Sequence, residues 1–176
     1  MSASIVAMAT VFLTMSPLAL PTWAIFIAWA GTFLLGGPSR ANAVKMITAT
    51  TTGAVYGVVA TLLNQATGTM FGEGAFARTL ALGVVIFVAN GTLLATGRIP
   101  FFACIPGMFF GFASLFATYF DGFGFAPGDL AGAFVSAAAM CALSPLCAFL
   151  GLRLMFAPTA PAPEWTEPEV KAEAPA

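Results

Sequence analysis

Residues 101–120 read FFACIPGMFFGFASLFATYF and contain no charged side chain. No other stretch constrains the fold as tightly. Seven phenylalanines and one tyrosine alternate with glycine, alanine, serine and threonine over twenty residues. A helix of about 20 residues is as long as a bilayer's hydrocarbon core is thick, about 30 Å. The rest of the chain agrees. Hydrophobic residues make up 60% and charged residues 7%, against about 25% charged in ordinary soluble domains. So few charges cannot cover a soluble surface, so the surrounding solvent is lipid for most of the chain.

Proline, glycine and polar residues divide the sequence into six apolar segments, at about 3–20, 22–36, 44–63, 79–96, 101–120 and 129–156. The expected fold is all-α, a polytopic transmembrane bundle of about six spans. Residues 1–157 form the membrane domain. Residues 158–176, rich in proline, alanine and glutamate, hold too little apolar surface to offset ordering and read as a disordered tail. Segment one resembles a signal peptide in its apolar core. It lacks a basic leader and another apolar segment follows at once, so it reads as a retained membrane segment. Pro17 and Pro21 separate it from segment two by removing backbone donors and disfavouring helix before them. Pro17 also leaves it short. An interfacial first segment would give five spans instead.

Lysine and arginine set the orientation. Arg40 and Lys45 lie between segments two and three, Arg98 between four and five, and Arg153 and Lys171 at or after the end of six. Only Arg78 lies on the other side. Six spans with both termini in the cytoplasm therefore place five of the six basic residues inside, as the positive-inside rule requires.

The two halves share features. Segment two has Gly31 and Phe33 where segment five has Gly107 and Phe109, and each is followed by a loop and a helix rich in small residues. Three spans is an odd number, so a second such unit enters the membrane inverted. A 3+3 inverted repeat is the arrangement many transporters use, with glycine-interrupted segments beside the solute. On segment five, Gly107, Gly111, Ser114 and Thr118 recur on one helical face. Ala49, Gly53 and Gly57 do the same on segment three, and Gly128 and Gly132 open segment six. Small faces let backbones approach where lipid supplies no hydrophobic force between helices.

The pattern W-A-G-x-F…G-G, then T-x-x-G-x-x-x-G, then P-G-x-F-x-G-x-x-x-x-F-A is similar to a family of uncharacterised bacterial inner-membrane proteins, domain of unknown function 1097. Its matching residues are Trp29, Ala30, Gly31, Phe33, Gly36, Gly37, Gly53, Gly57, Pro106, Gly107, Phe109, Gly111, Phe116 and Ala117, and the likeness covers about residues 20–155. It implies a small polytopic protein of the bacterial inner membrane and implies no activity.

Candidate chemistry is sparse. The chain has no histidine, and no Asp, Glu or Lys lies mid-span. Proton-coupled pumps usually place titratable groups there. Cys104, Cys141 and Cys147 have neither disulfide nor zinc spacing and read as small packing residues. Asp121 and Asp129 suit turn and helix-cap roles. No enzyme, metal, cofactor or nucleic-acid partner is expected. Two readings of function remain. The first is a passive channel or facilitator for a small neutral or weakly charged solute, lined by Gly31, Gly36, Asn90, Gly107, Gly111 and Ser114, with Ala49, Gly53, Gly57, Gly128 and Gly132 in helix packing. The second is a non-catalytic accessory subunit of a larger membrane complex. The expected partners are the lipid bilayer and either a second copy or a membrane complex. A continuous polar line favours the first reading, and a dry interior the second.

Overall fold

The structure is a computed structural model and describes residues 2–155; the proposed tail lies outside them. The described residues are all-helical: α1 (Ser2–Thr14), α2 (Thr22–Leu34), α3 (Arg40–Thr67), α4 (Ala75–Thr96), a 3-10 turn (Pro100–Phe102), α5 (Ile105–Phe120) and α6 (Leu130–Met155). Three helices, α3, α4 and α6, are long and apolar enough to cross a membrane. α1 and α2 have 13 residues each and α5 has 16, short of the roughly 20 a full crossing takes. This corrects the reading of 101–120 as one unbroken span. Phe101 and Phe102 belong to the 3-10 turn, the chain leaves helical geometry at Ala103 and Cys104, and α5 begins with Pro106 in its first turn. Proline is suited to a first turn, where its missing N–H is not needed.

The turn between α2 and α3 shows why particular residues stand there. Gly36 and Gly37 have φ of +93° and +95°, a left-handed region that a Cβ disfavours. Ser39 caps α3 by accepting from the Asn42 N–H, and the Asn42 amide donates to the carbonyls of Leu35, at 2.9 Å, and Gly37, at 2.7 Å. At the other end of the bundle, the Gly124 N–H donates to the Ala19 carbonyl. The edge of Trp23 meets Phe123, with ring centroids 4.4 Å apart. The loop after α5 is thereby tied to the α1–α2 turn.

Packing is interleaved. α3 lies most extensively against α5, and α2 against α6. α1 rests mainly on α6, and α4 mainly on α3. The inner face of α2 (Ala24, Ile25, Ala28, Trp29) is buried, and Gly151 of α6 leaves the space in which the Trp29 ring sits. α4 is the outlying member. Only Ala81, Val85, Ala89 and Leu93, one residue per turn, are buried on it.

α6 contains Pro145. Proline has no N–H, so the carbonyl four residues earlier, that of Cys141, loses its intrahelical donor. The Ser144 hydroxyl supplies the replacement, donating to the Cys141 carbonyl at 2.7 Å. Ser144 and Cys141 are both buried, where an unpaired carbonyl is costly.

Candidate functional site

The residues singled out in the sequence fall in several places. The principal one is the crossing of α3 and α5. Gly53 faces the backbone of Met108, and Gly111 faces the backbone of Thr50, each so closely that a Cβ would overlap the opposing carbonyl. The contacts are reciprocal: each helix offers a glycine to the other's backbone. A Cβ on Gly107 would sit 2.8 Å from that of Ala49, and one on Gly57 would sit 2.6 Å from the Leu115 side chain. Ala49, Gly53 and Gly57 thus stand opposite Gly107, Gly111 and their neighbours, spaced four apart on both helices.

Gly31 joins this place from α2. Its missing side chain leaves room for the Met46 methyl and the Phe110 ring, and the Met46 sulfur in turn lies beside Gly107. Gly31 and Gly107 therefore flank one methionine. Gly36 and Asn90 are elsewhere. Gly36 lies in the α2–α3 turn with nothing near its absent side chain, and Asn90 lies on α4, outside the crossing. The structure does not bring these two into one lining with the other four. Gly128 and Gly132 also differ from an interhelical seam. Gly128 has φ of +80° in the turn before α6. Gly132 packs on Ala126 of that turn, and its N–H donates to the Asp129 carboxylate at 2.6 Å. Asp129 is thus the cap of α6.

Beside the crossing, buried hydroxyls collect where α3, α5 and α6 meet. Thr50, Ser114, Thr118, Ser136 and Ser144 are all almost wholly buried. Ser114 and Thr50 adjoin the Cys141 thiol, whose sulfur points at the Ala24 carbonyl of α2, 3.8 Å away. Thr50 and Thr118 donate to carbonyls of their own helices, those of Met46 and Ser114. Such bonds leave a threonine content in an apolar interior. The hydroxyls of Ser114 and Ser136 have no partner, and Ser136 lies against Gly124 of the loop tied to Ala19. The sequence shows Ser114, Thr50, Ser136, Cys141 and Ser144 singly and gives no sign that they form a group. Thr50 is on α3, Ser114 on α5, and Ser136, Cys141 and Ser144 on α6, so no single helix shows the whole set.

Among the described residues no group of three or more His, Cys, Asp or Glu is placed to hold a metal ion. Three apolar helices of bilayer length, and a glycine seam along which one of them meets the shorter α5, define a helical membrane protein. The chain belongs to the family described as Protein of unknown function (DUF1097), which matches residues 1–151. That match takes in α1, which the likeness seen in the sequence, beginning near residue 20, did not. No curated protein and no solved structure matches the chain.

Proposed function

We propose that the protein is a multi-pass protein of the bacterial inner membrane with both termini in the cytoplasm. Its two halves are inverted copies, and it serves as a non-catalytic subunit that works through its outer faces. The interleaved packing supports the inverted halves. If α1, α2 and α3 correspond to α4, α5 and α6, the pair α3–α5 corresponds to α6–α2, and α1–α6 to α4–α3. α3–α5 and α2–α6 are the two most extensive pairings of the bundle, α1–α6 and α3–α4 match each other, and α3–α6 maps onto itself; α5–α6 departs from the pattern, being more extensive than its counterpart α2–α3. The basic residues Arg40, Lys45, Arg98 and Arg153 support the orientation.

One observation carries the subunit reading. The small face of α5, where a pathway would be sought, is in contact with the α3 backbone along Gly53 and Gly111. Backbones that close leave no room for a solute between them. A different observation favours a second reading, passive facilitation of a small neutral solute. Ser114 and Ser136 bury hydroxyls without partners, and a polar group left so in an apolar interior costs on the order of 1–3 kcal/mol. A passing solute able to hydrogen-bond would offset that cost.

Liposomes containing the protein, assayed by stopped-flow light scattering with small neutral solutes, separate the two. The subunit reading expects shrinkage at the rate of empty liposomes. Faster flux that falls in both Ser114→Ala and Ser136→Ala would overturn it and establish the facilitator. Flux that required an imposed proton gradient would contradict both.

A further inference from the structure

α3 and α6 pack antiparallel, and a groove opens at two places along their contact. The first is walled by Ser39, Arg40 and Ala43 at the start of α3 and by Pro145, Leu146 and Phe149 of α6. The second lies between Val55 and Val59 of α3 and Leu130 and Phe134 near the start of α6, with Asp129 also in its wall. Both are mainly apolar, and they differ in charge. Arg40 lines the first groove, and the Arg153 guanidinium lies over the Phe149 ring of that groove, 4.9 Å from its centroid. Both arginines are exposed. The second groove has only the Asp129 carboxylate, already bonded to the Gly132 N–H.

Nothing among the described residues neutralises the two arginines. The carboxylates there are Glu73, Asp121 and Asp129. Glu73 follows the end of α3, and Asp121 and Asp129 stand before α6 begins. All three are therefore at the far end of these helices from the first groove, and a helix of 28 residues such as α3 is about 40 Å long. Arg40 is also poorly placed for folding. It opens α3, where the helix dipole is positive and repels a cation, and no acidic residue stands in that first turn. The positive-inside rule asks for a cation near a helix end, but not for one in the wall of an apolar groove.

We infer that the first groove binds an anionic phospholipid, with its phosphate at Arg40 and Arg153 and an acyl chain along Phe149 and Leu146. The occupant has to be anionic at one end and apolar along the rest. The arginines stand at helix ends, where headgroups lie, and Phe149 and Leu146 lead from there into α6. Basic pockets between transmembrane helices take such headgroups, and the arginine fork matches phosphate oxygens. The groove has room for about 290 Å³, far more than the roughly 30 Å³ share of one water. A free phosphate ion would leave the apolar wall without a partner. The inference is independent of which reading of function holds.

The test uses the full chain in vesicles of equal phosphatidylglycerol and phosphatidylcholine. A photoreactive benzoylphenylalanine at Leu146 should capture phosphatidylglycerol in excess, read by mass spectrometry of the adduct. The same probe at Val59, in the second groove and comparably exposed (45% against 52% for Leu146), should capture the two lipids equally. Arg40→Gln should lower the excess at position 146 about fivefold, the effect of one basic side chain at an anionic lipid surface. Arg153→Gln should act similarly, and Arg40→Lys should keep most of the excess. Arg98→Gln removes a like charge outside the groove and should change nothing. Equal capture of both lipids at position 146 would overturn the inference. So would an excess that Arg98→Gln lowers as much as Arg40→Gln does, since the attraction would then belong to the surface as a whole. An excess that emerges only in a Glu164→Gln, Glu167→Gln, Glu169→Gln, Glu173→Gln chain would overturn it too, because the chain's own end would then be the occupant.

Discussion

Ser144→Ala should expose how α6 tolerates a proline in its interior. The Ser144 hydroxyl is the donor to the Cys141 carbonyl that Pro145 leaves without one. Removing it strands a carbonyl among residues that are essentially inaccessible, since Ser144 is 0% and Cys141 2% exposed. An unsatisfied buried acceptor costs about 1–3 kcal/mol. Burying a methyl group in place of a hydroxyl returns part of that, so a net loss of about 1–2 kcal/mol is expected. The informative variant is the double one. Pro145→Ala restores a backbone N–H to the same carbonyl, and alanine is about 3 kcal/mol better than proline inside a helix. In that background Ser144→Ala should cost almost nothing, giving a coupling of about 1–2 kcal/mol in the double-mutant cycle. Reversible unfolding by SDS in mixed micelles measures all four proteins, and the coupling, unlike either single effect, is insensitive to a change in proline packing. A Ser144→Ala protein as stable as the parent, or one whose loss persists unchanged in the Pro145→Ala background, would refute the donor-replacement argument.

Gly53→Ala and Gly111→Ala should each loosen the α3–α5 crossing by about 1–3 kcal/mol, although alanine is the better helix former. The pair should cost less than the sum, because one separation of the helices relieves both overlaps; a stabilised Gly53→Ala protein in the same unfolding assay would refute this. Gly37→Ala, forced into a left-handed φ, and Asn42→Ala, which loses two hydrogen bonds to turn carbonyls, should each cost about 1–2 kcal/mol, read as a lowered unfolding midpoint. Tyr56→Phe removes the hydroxyl contact to Thr96 that ties α3 to α4 at 2.7 Å and should lower stability by about 1 kcal/mol; proteolysis near α4 should rise if the tie matters, and an unchanged cleavage rate would discount it. Ser2→Cys and Thr159→Cys should be shielded from an impermeant thiol reagent in intact cells while Gly72→Cys is labelled. Labelling at position 2 alone would place α1 at the outer interface and remove one crossing.

Much of this was legible in the residues. Scarce charge and long apolar runs declare the solvent, and they do so without any knowledge of partners. The end of α4 before Gly97 and the start of α6 after Asp129 follow closely from where the apolar runs stop and start, whereas α4 begins at Ala75, a turn earlier than the expected 79. The break inside 101–120 was missed, although Pro100 and Pro106 lie on either side of it; hydropathy continues across the break and masked their effect. Gly36 was read as lining because a glycine's purpose depends on its φ, and φ is absent from the sequence. Gly107, Gly111 and Ser114 were grouped correctly as one face, but a face carries no label for what it meets.

By itself, then, the sequence determined that the chain is a helical membrane protein and which helix faces are small enough for close approach. Those properties are local or compositional. The tertiary structure alone decided that Gly53 meets Met108 and Gly111 meets Thr50, and that hydroxyls from three helices collect around Cys141. Each of these depends on residues dozens of positions apart reaching contact distance. Between apolar helices that distance is set by the fit of whole surfaces, which no periodicity along a single segment records.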